Sequence, residues 1–335
     1  MLLAINYLKR FVKGDENPFI QSTRTRWQDR PLQVLELEAL LENQKYEYRV
    51  AIRFARSAGS QDIASGKLSV SHEQLKVSGA TVFELANGQI HFFPNDSNHA
   101  TTVPLETTRS ALLLSQLSNT HVRRFVEWMN SIDCFRIDEY PSAMDESADR
   151  EEQDPQDELQ NLAGWYRHLV QAFPEENVRY IASLKEALAG FQALRFSPYE
   201  DGTRRLRADF TGPKEGNVNY ALSELSEGQR CLLALYMILH FRIARGHTVF
   251  VDEPDNFIAL REIQPWLLAA EAAVEDHSGQ LILISHHPEL LNQWASNHGL
   301  RFYRDDNGHV RTEKFKADPD GNLQPSELIS RGWEG

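Results

Sequence analysis

The stretch from Leu225 to Leu290 constrains the fold most, because short apolar strands alternate there with amphipathic helices. The pattern predicts helices over 229–244 and 262–274 and strands over 249–251 and 281–284. Apolar strands connected by helices are typical of a parallel sheet that is covered on both faces. We therefore predict an α/β lobe in the C-terminal half, with ligands bound at the carboxyl ends of its strands.

The first of these strands ends in two adjacent acids, Asp252 and Glu253, followed by Pro254. Two neighbouring carboxylates at such an edge suit a division of labour. One can hold Mg²⁺, directly or through water, while the other orients and deprotonates an attacking water. Taken alone, the pair is equally compatible with a turn that only ends the strand.

The second strand ends in Ser285, His286 and His287. A neutral imidazole at this position can hydrogen-bond a terminal phosphate. The alternative is a surface histidine that caps the following helix. Neither histidine has cysteines or acids at the spacing of metal ligands, so a zinc site is not predicted.

A polar segment, Ser226-Glu227-Gly228-Gln229, precedes the first helix. Ser226 is a good N-cap, and the free N–H groups and dipole of the helix favour an anion that Gly228 allows to approach closely. Alone, the segment indicates only the start of a helix. Its spacing from the strand ends is informative: Gly228 precedes Asp252 by 24 residues (252 − 228), and Glu253 precedes His286 by 33 (286 − 253). One helix plus one strand fits each interval.

In order and spacing these three segments resemble the signature, Walker B and His-switch motifs of ABC-type ATPase heads, the class that contains SMC and RecF-like proteins. Within that class the chain is most similar to stand-alone bacterial predicted ATPases with an AAA-type core. The run from Asp252 to Trp266 is the most specific part of the match. The resemblance covers residues 215–300 well and the first half only by general layout. It implies a P-loop NTPase-like, ABC-type head.

The resemblance also implies ATP and Mg²⁺ as cofactors and a hydrolase that acts as a dimer. The resemblance implies Asp252 as the metal ligand, and Glu253 and His286 as catalytic residues. The residues that it implies as nucleotide contacts are Ser226, Gly228, Gln229, Asp255 and Asn256. By this resemblance Glu253 is the catalytic base, and His286 contacts the γ-phosphate. The signature residues face a nucleotide held by the opposing subunit. Two positions depart from the family pattern, because Glu227 replaces a glycine and His287 occupies a position that is often serine.

The phosphate-binding pattern G-x-x-x-x-G-K-[ST] does not occur in the sequence. Without it most contacts to the β- and γ-phosphates are lost, so we expect this exact chain to hydrolyse ATP poorly. Met1 to Leu8 resembles the helix that follows a P-loop in this family. Our leading hypothesis therefore places the P-loop just before residue 1, missing either through a misplaced start codon or because the chain was chosen to begin after it. The competing hypothesis is a P-loop-less subunit that regulates a partner ATPase or donates its signature face to it.

Elsewhere a two-residue period from Leu32 predicts a hairpin over 32–54 and further strands up to residue 93, an antiparallel β lobe. Helical spacing is found over 1–13, 110–130, 159–173 and 178–191. A strand pair is predicted at 194–198 and 206–211. The predicted domains in chain order are the N-terminal part of the ATPase head with the antiparallel β lobe (1–140), an acidic linker (141–158), a small helical insertion with the strand pair (159–215), the C-terminal ATPase lobe (216–315) and a loose tail (316–335).

Composition limits the partners and the compartment. The net charge of −13 does not favour a general nucleic-acid binder. Cys134 and Cys231 argue against a disulfide framework and fit a reducing cytoplasm. No apolar run approaches the roughly 18 residues of a membrane span. We expect a cytoplasmic protein without a membrane partner that forms a homodimer or pairs with another ATPase subunit. DNA repair or phage defence, with DNA or a separate nuclease as partner, is the setting that the resemblance implies.

Overall fold

The computed structural model describes most of the chain, namely residues 2–15, 32–54, 68–94, 101–116, 118–137, 144–199, 202–212, 216–318, 320 and 322–332. Two compact units are present, Met1–Ile132 and Asp133–Gly335. One sheet contains parallel strands and the others are antiparallel. This architecture confirms the predicted α/β class, with a parallel lobe and an antiparallel β lobe.

The first unit begins with helix α1 (Leu2–Lys13), as the apolar spacing predicts. Its antiparallel sheet has six strands in chain order: β1 (Leu32–Leu41), β2 (Gln44–Phe54), β3 (Leu68–Val77), β4 (Ala80–Ala86), β5 (Gln89–Phe92) and β6 (Thr101–Pro104). Tight turns with positive φ at Asn43 and Asn87 connect β1 to β2 and β4 to β5. The predicted hairpin and the strands after it are therefore confirmed, and β6 was not predicted.

Two helices complete this unit, α2 (Leu112–Ser115) and α3 (Thr120–Asn130). The helical spacing predicted over 110–130 is confirmed as two helices, because Asn119 starts a new one. Its side-chain oxygen accepts hydrogen bonds from the N–H groups of His121 and Val122. A polar cap of this kind satisfies N–H groups that an uninterrupted helix would bond to earlier carbonyls.

A buried carboxylate, Glu73 on β3, joins the sheet of the first unit to the start of α2. Its Oε1 accepts hydrogen bonds from the hydroxyls of Tyr48 (2.7 Å) and Ser110 (2.5 Å), and its Oε2 accepts from the N–H of Ala111 (2.8 Å). Burial raises the pKa of Glu73 to about 7, although the three donors oppose the shift. The folded protein therefore holds the Glu73 proton more tightly than the unfolded chain does.

This pKa shift predicts a pH dependence that Glu73→Gln removes. The contribution of protonated Glu73 is fully present below the unfolded pKa of about 4.3 and is lost as the pH rises through about 7. Between pH 5 and pH 8 wild type should therefore lose about 3 kcal/mol of unfolding free energy relative to Glu73→Gln. Urea unfolding at both pH values measures this. Glu36→Gln, which changes an exposed carboxylate, is the control, and an equal shift for both variants would contradict the prediction.

The second unit is built on a three-stranded sheet in the order β13-β12-β7, in which β12 and β13 run parallel. A four-stranded antiparallel sheet and a two-stranded hairpin accompany it. The strands of the unit are β7 (Ile132–Arg136), β8 (Ser147–Ala148), β9 (Phe191–Pro198), β10 (Arg204–Thr211), β11 (Asn217–Ala221), β12 (Thr248–Asp252), β13 (Gln280–Ile284), β14 (Leu300–Arg304) and β15 (Val310–Lys314).

The helices of the second unit are α4 (Leu162–Ala172), α5 (Pro174–Ala187), α6 (Glu227–Phe241), α7 (Leu260–His277), α8 (Pro288–Leu290), α9 (Ser296–His298) and α10 (Pro325–Arg331). The core helix is α6, whose residues from Arg230 to Leu239 are all buried. A helix that is apolar on every side is stable only when it is surrounded. Helices α5 and α7 pack against α6, so its N-terminal end is held in a fixed position.

Two sequence-based interpretations differ from this structure. Residues 144–158 of the predicted acidic linker are folded into the second unit, because Met144 and Ala148 are buried and β8 pairs with β10. Arg205 neutralises one acid of this stretch, Glu146, at 3.1 Å. The predicted loose tail contains α10, in which Leu328 is buried. Among the described residues, no helix is both long enough and apolar enough to cross a membrane.

Candidate functional site

The parallel pairing of β12 with β13 brings the acid pair and the histidine segment to the same edge of the sheet. Asp252, the last residue of β12, lies opposite Ile284, the last residue of β13. The N–H of Glu253 donates to the carbonyl of Ile284 at 2.7 Å, which extends the pairing by one residue. The polar residues that follow both strands therefore emerge side by side, as expected for a ligand site of an open α/β sheet.

Each carboxylate oxygen of Glu253 has a polar side chain beside it. Asn256 Nδ2 donates to Oε2 at 2.8 Å, and His286 Nδ1 lies 3.3 Å from Oε1. The carboxylate is 43% exposed and the imidazole 79% exposed, so both can reach a ligand from solvent. The backbone of Glu253 has φ 47°, a left-handed conformation that costs free energy in a non-glycine residue and is concentrated at functional sites. An oriented, solvent-facing carboxylate is chemically suited to act as a general base.

Asp252 lies beside Glu253 and is half-buried. Partial burial raises the pKa of Asp252, the neighbouring Glu253 carboxylate raises it further, and Arg136 opposes the rise. Two adjacent carboxylates in a partly desolvated position are stabilised by a cation. Among the described residues no cluster of three or more His, Cys, Asp or Glu side chains is arranged to hold a metal. A Mg²⁺ site of one carboxylate completed by phosphate and water oxygens needs no such cluster.

The sequence left open whether a histidine after β13 contacts a phosphate or caps the following helix, and the structure gives the two histidines different positions. His287 Nδ1 accepts the N–H of Glu289 at 3.2 Å, so His287 caps α8. His286 instead lies next to Glu253. The capping role therefore belongs to His287, and His286 is the histidine that faces the strand edge.

Asp255, predicted to contact nucleotide, is buried in this structure with 6% of its surface exposed. Its Oδ1 accepts the hydroxyl hydrogen of Ser285 at 2.6 Å. Asn256, predicted for the same role, donates to Glu253. Both side chains thus bond to the strand-edge residues of this chain. Sequence reasoning missed Ser285 as a site residue, although it stands between a strand and the histidine that was singled out.

The signature-like segment forms the N-terminus of α6. Ser226 Oγ accepts the N–H of Gln229 at 3.3 Å, and Gln229 Oε1 accepts the N–H of Ser226 at 3.0 Å. This reciprocal capping box satisfies two backbone groups at the end of the helix. The helical position of Gly228 is tight, because a Cβ there would lie 2.7 Å from the carbonyl oxygen of Phe257. Phe257 belongs to the turn that begins at Glu253.

A cavity of about 440 Å³ lies at this helix end. All four residues of the predicted signature segment, Ser226 to Gln229, line it together with residues that were not predicted: Leu188, Leu232, Phe257, Ala259 and Glu262. Phe257 is 46% exposed and has φ 65°. The only sequence signal for this arrangement is the glycine, which indicates close approach of another backbone without identifying it.

The close approach at Gly228 predicts the effect of Gly228→Ala. Alanine normally stabilises a helix by about 1 kcal/mol relative to glycine. Here the added methyl meets the backbone of Phe257, so we expect a net loss of about 1–2 kcal/mol of unfolding free energy. Urea unfolding measures this loss. Gly164→Ala in α4 is the control, because its nearest contact is the flexible side chain of Glu152. Stabilisation by Gly228→Ala would show that the turn moves away freely.

Comparisons with known proteins identify the family of this chain. A protein-family profile described as "AAA domain, putative AbiEii toxin, Type IV TA system" matches residues 36–292, more than half of the chain. The chain belongs to this AAA-domain family. Among solved structures, the crystal structure of the SMC head bound to the C-winged helix domain of ScpA is similar at 10% identity and a TM-score of 0.38. That match covers 80% of this chain and 75% of that chain, and the likeness is remote. No curated protein matches significantly.

Membership of the AAA-domain family confirms the predicted AAA-type ATPase core. The matched residues contain all three motif segments and extend back through most of the first unit. The assignment of individual residues to nucleotide, metal and catalysis stays a prediction.

Proposed function

We propose that this AAA-domain protein binds ATP with Mg²⁺ and that its catalytic site hydrolyses the γ-phosphate bond, with Glu253 as the base. The observation that carries the proposal is the Glu253 carboxylate, oriented by Asn256 and next to His286 at the edge where Asp252 also ends its strand. Two carboxylates, an amide and an imidazole meet there at or just after adjacent strand ends, which suits a phosphate-hydrolysing site.

The residues present fit the Mg²⁺ ion. Asp252 has a raised pKa because it is partly buried beside a second carboxylate, and a cation would relieve that cost. We propose Asp252 as the metal ligand, through an oxygen or through water. Bound Mg²⁺ would supply charge neutralisation for the phosphates. In the proposed reaction Glu253 accepts a proton from the attacking water, while Asn256 keeps the carboxylate from rotating away. His286 donates a hydrogen bond to the terminal phosphate.

The N-terminus of α6 suits a phosphate, because Ser226 to Gln229 line the 440 Å³ cavity and the N-terminal end of a helix attracts anions. By family resemblance we propose that this face closes over a nucleotide held by a second subunit, with Ser226, Gly228 and Gln229 as contacts. The capping box must then exchange part of its internal bonding for the ligand. Glu227 carries a negative charge on the same cavity and weakens this closure relative to a glycine.

One observation favours a second candidate function. The sequence contains no G-x-x-x-x-G-K-[ST] segment, so the lysine and N–H cradle that normally grip the β- and γ-phosphates have no counterpart in it. The chain would then be a non-catalytic subunit that regulates a partner ATPase or donates its α6 face to it. We expect slow hydrolysis by this chain alone under the first function and no hydrolysis under the second.

Binding and turnover separate the two functions. Titration of the purified chain with a fluorescent ATP analogue, with and without Mg²⁺, tests its own nucleotide site. Release of inorganic phosphate over hours tests slow turnover. Mg²⁺-dependent binding and turnover support the hydrolase. Absence of both, together with stimulation of an added ATPase subunit, supports the regulatory subunit. Absence of all three would overturn the nucleotide proposal.

The biological setting is also a proposal. The family description includes a putative toxin of a toxin–antitoxin system. We propose a cytoplasmic role in phage defence or DNA repair, as a homodimer or with another ATPase subunit, and with DNA or a separate nuclease as partner. The net charge of −13 gives direct DNA contact no support. Plating efficiency of phages on cells with and without the protein tests the defence role.

A further inference from the structure

The turn that follows β12 is held by a part-buried hydrogen bond that the predicted chemistry does not use. Ser285 Oγ, after β13, donates to Asp255 Oδ1 at 2.6 Å. The same hydroxyl oxygen accepts the N–H of His287 at 2.9 Å. One hydroxyl therefore bonds at once to the turn that carries Glu253 and to the backbone next to His286. Hydrogen bonds to a carboxylate are stronger than those between neutral groups, and more so when buried.

The turn itself is strained at both ends. Glu253 has φ 47° and Phe257 has φ 65°, and such conformations persist only where the surroundings hold them. Asp255 lies midway between them, and within the turn the N–H of Asn256 bonds to the carbonyl of Glu253 at 3.2 Å. The part-buried hydrogen bond from Ser285 is therefore placed to hold both strained residues.

The two ends of this turn reach different sites. At the first end, the carboxylate of Glu253 lies 3.3 Å from His286. At the other, the carbonyl of Phe257 lies so close to Gly228 that a Cβ there would be 2.7 Å away. A shift of Asp255 must therefore move the proposed base Glu253, the Phe257 carbonyl that packs against the N-terminus of α6, or both.

We propose that Asp255 and Ser285 are a positioning pair, which sets the place of Glu253 relative to His286 and of Phe257 relative to Gly228. Neither residue touches the reacting atoms. The kinetic part of the inference rests on the proposed ATPase function, and the structural part does not. This role differs from the nucleotide contact that family resemblance implies for Asp255.

The chemistry predicts an order among the variants. Ser285→Thr keeps the hydroxyl and should behave nearly as wild type. Asp255→Asn keeps an oxygen acceptor for Ser285 but loses the charge, so its effect should be intermediate. Ser285→Ala leaves the buried carboxylate of Asp255 without this donor, and loss of a partner from a buried charged group is the most costly case. Ser285→Ala should therefore have the largest effect.

Amide hydrogen exchange of the full chain without nucleotide tests the structural part. Ser285→Ala should speed exchange of the His287 amide, which loses its acceptor, and of the Asn256 and Ile258 amides in the turn, by about tenfold or more. Ser330→Ala is the control, because the exposed Ser330 hydroxyl bonds to a carbonyl of its own helix, that of Glu327. Unchanged exchange at Asn256 and Ile258 in Ser285→Ala would overturn the positioning role.

Steady-state kinetics test the second part. A displaced base should lower kcat by roughly tenfold to a hundredfold, while KM for ATP stays within about twofold of wild type. Ser285→Thr should restore kcat. If wild type has no turnover, the proposed ATPase function fails, and hydrogen exchange still decides the positioning pair. If wild type turns over and Ser285→Ala matches it, the positioning pair fails and the ATPase function stands.

Discussion

Replacing Glu253 with glutamine is expected to lower kcat for ATP hydrolysis by about 10²–10⁴-fold, the usual contribution of a positioned general base. The amide cannot accept the proton of the attacking water. It is close in size to the carboxylate, so binding of Mg-ATP should stay within a few-fold of wild type. Phosphate release under saturating ATP measures the first effect, and titration with a fluorescent nucleotide measures the second.

Glu271→Gln is the matched control, because Glu271 is an exposed carboxylate on α7 away from the strand edge. It should leave both kcat and binding unchanged. If wild-type turnover is measurable and Glu253→Gln retains it, Glu253 is not the base. A variant that binds but does not hydrolyse ATP should also accumulate any nucleotide-dependent dimer. Light scattering with and without ATP then tests the proposed head-to-head association.

Replacing Trp266 with alanine is expected to cost about 3–5 kcal/mol of unfolding free energy, the range for removal of a buried tryptophan. Trp266 is fully buried between α7 and α6, and its Nε1 donates to the carbonyl of Leu235 at 2.9 Å. The variant leaves a large cavity beside the helix that carries the signature segment. Urea unfolding, followed by exchange of α6 amides, measures the loss.

Leu268→Ala is the matched control on the same helix, since Leu268 is 61% exposed. It should change the free energy of unfolding by no more than about 0.5 kcal/mol. Trp266→Phe should give an intermediate loss, because it keeps an aromatic ring in the site but loses the fused second ring and the indole N–H bond to Leu235. Equal stability of Trp266→Ala and Leu268→Ala would mean that α7 is not anchored through this side chain.

Sequence periodicity predicted the elements that carry the site. The strands β12 and β13 are short and apolar, α6 follows a serine cap, and each matches the predicted position within a few residues. These features are local, because a cap, a strand and a turn depend on side chains close together in the chain. Periodicity therefore predicted that Asp252, Glu253 and His286 end two neighbouring strands.

Other features depend on residues far apart in sequence. The acidic stretch looked like a solvated linker because its own composition is polar, yet Glu146 pairs with Arg205 and β8 pairs with β10. The contact of Phe257 with Gly228 joins positions 29 residues apart (257 − 228). No local pattern identifies such partners.

The segments that follow β12 and β13 show which features can be predicted from local sequence and which cannot. The sequence by itself determined that this is an α/β protein with an AAA-type core and that acids and histidines end its strands, because hydrophobic period and order of motifs are properties of the chain. Only the tertiary structure decided that His287 caps a helix while His286 faces Glu253, and that Asp255 is buried against Ser285. The physical reason is that the direction of a side chain is set by backbone dihedral angles and by hydrogen-bond partners, which exist only after the two strands pair.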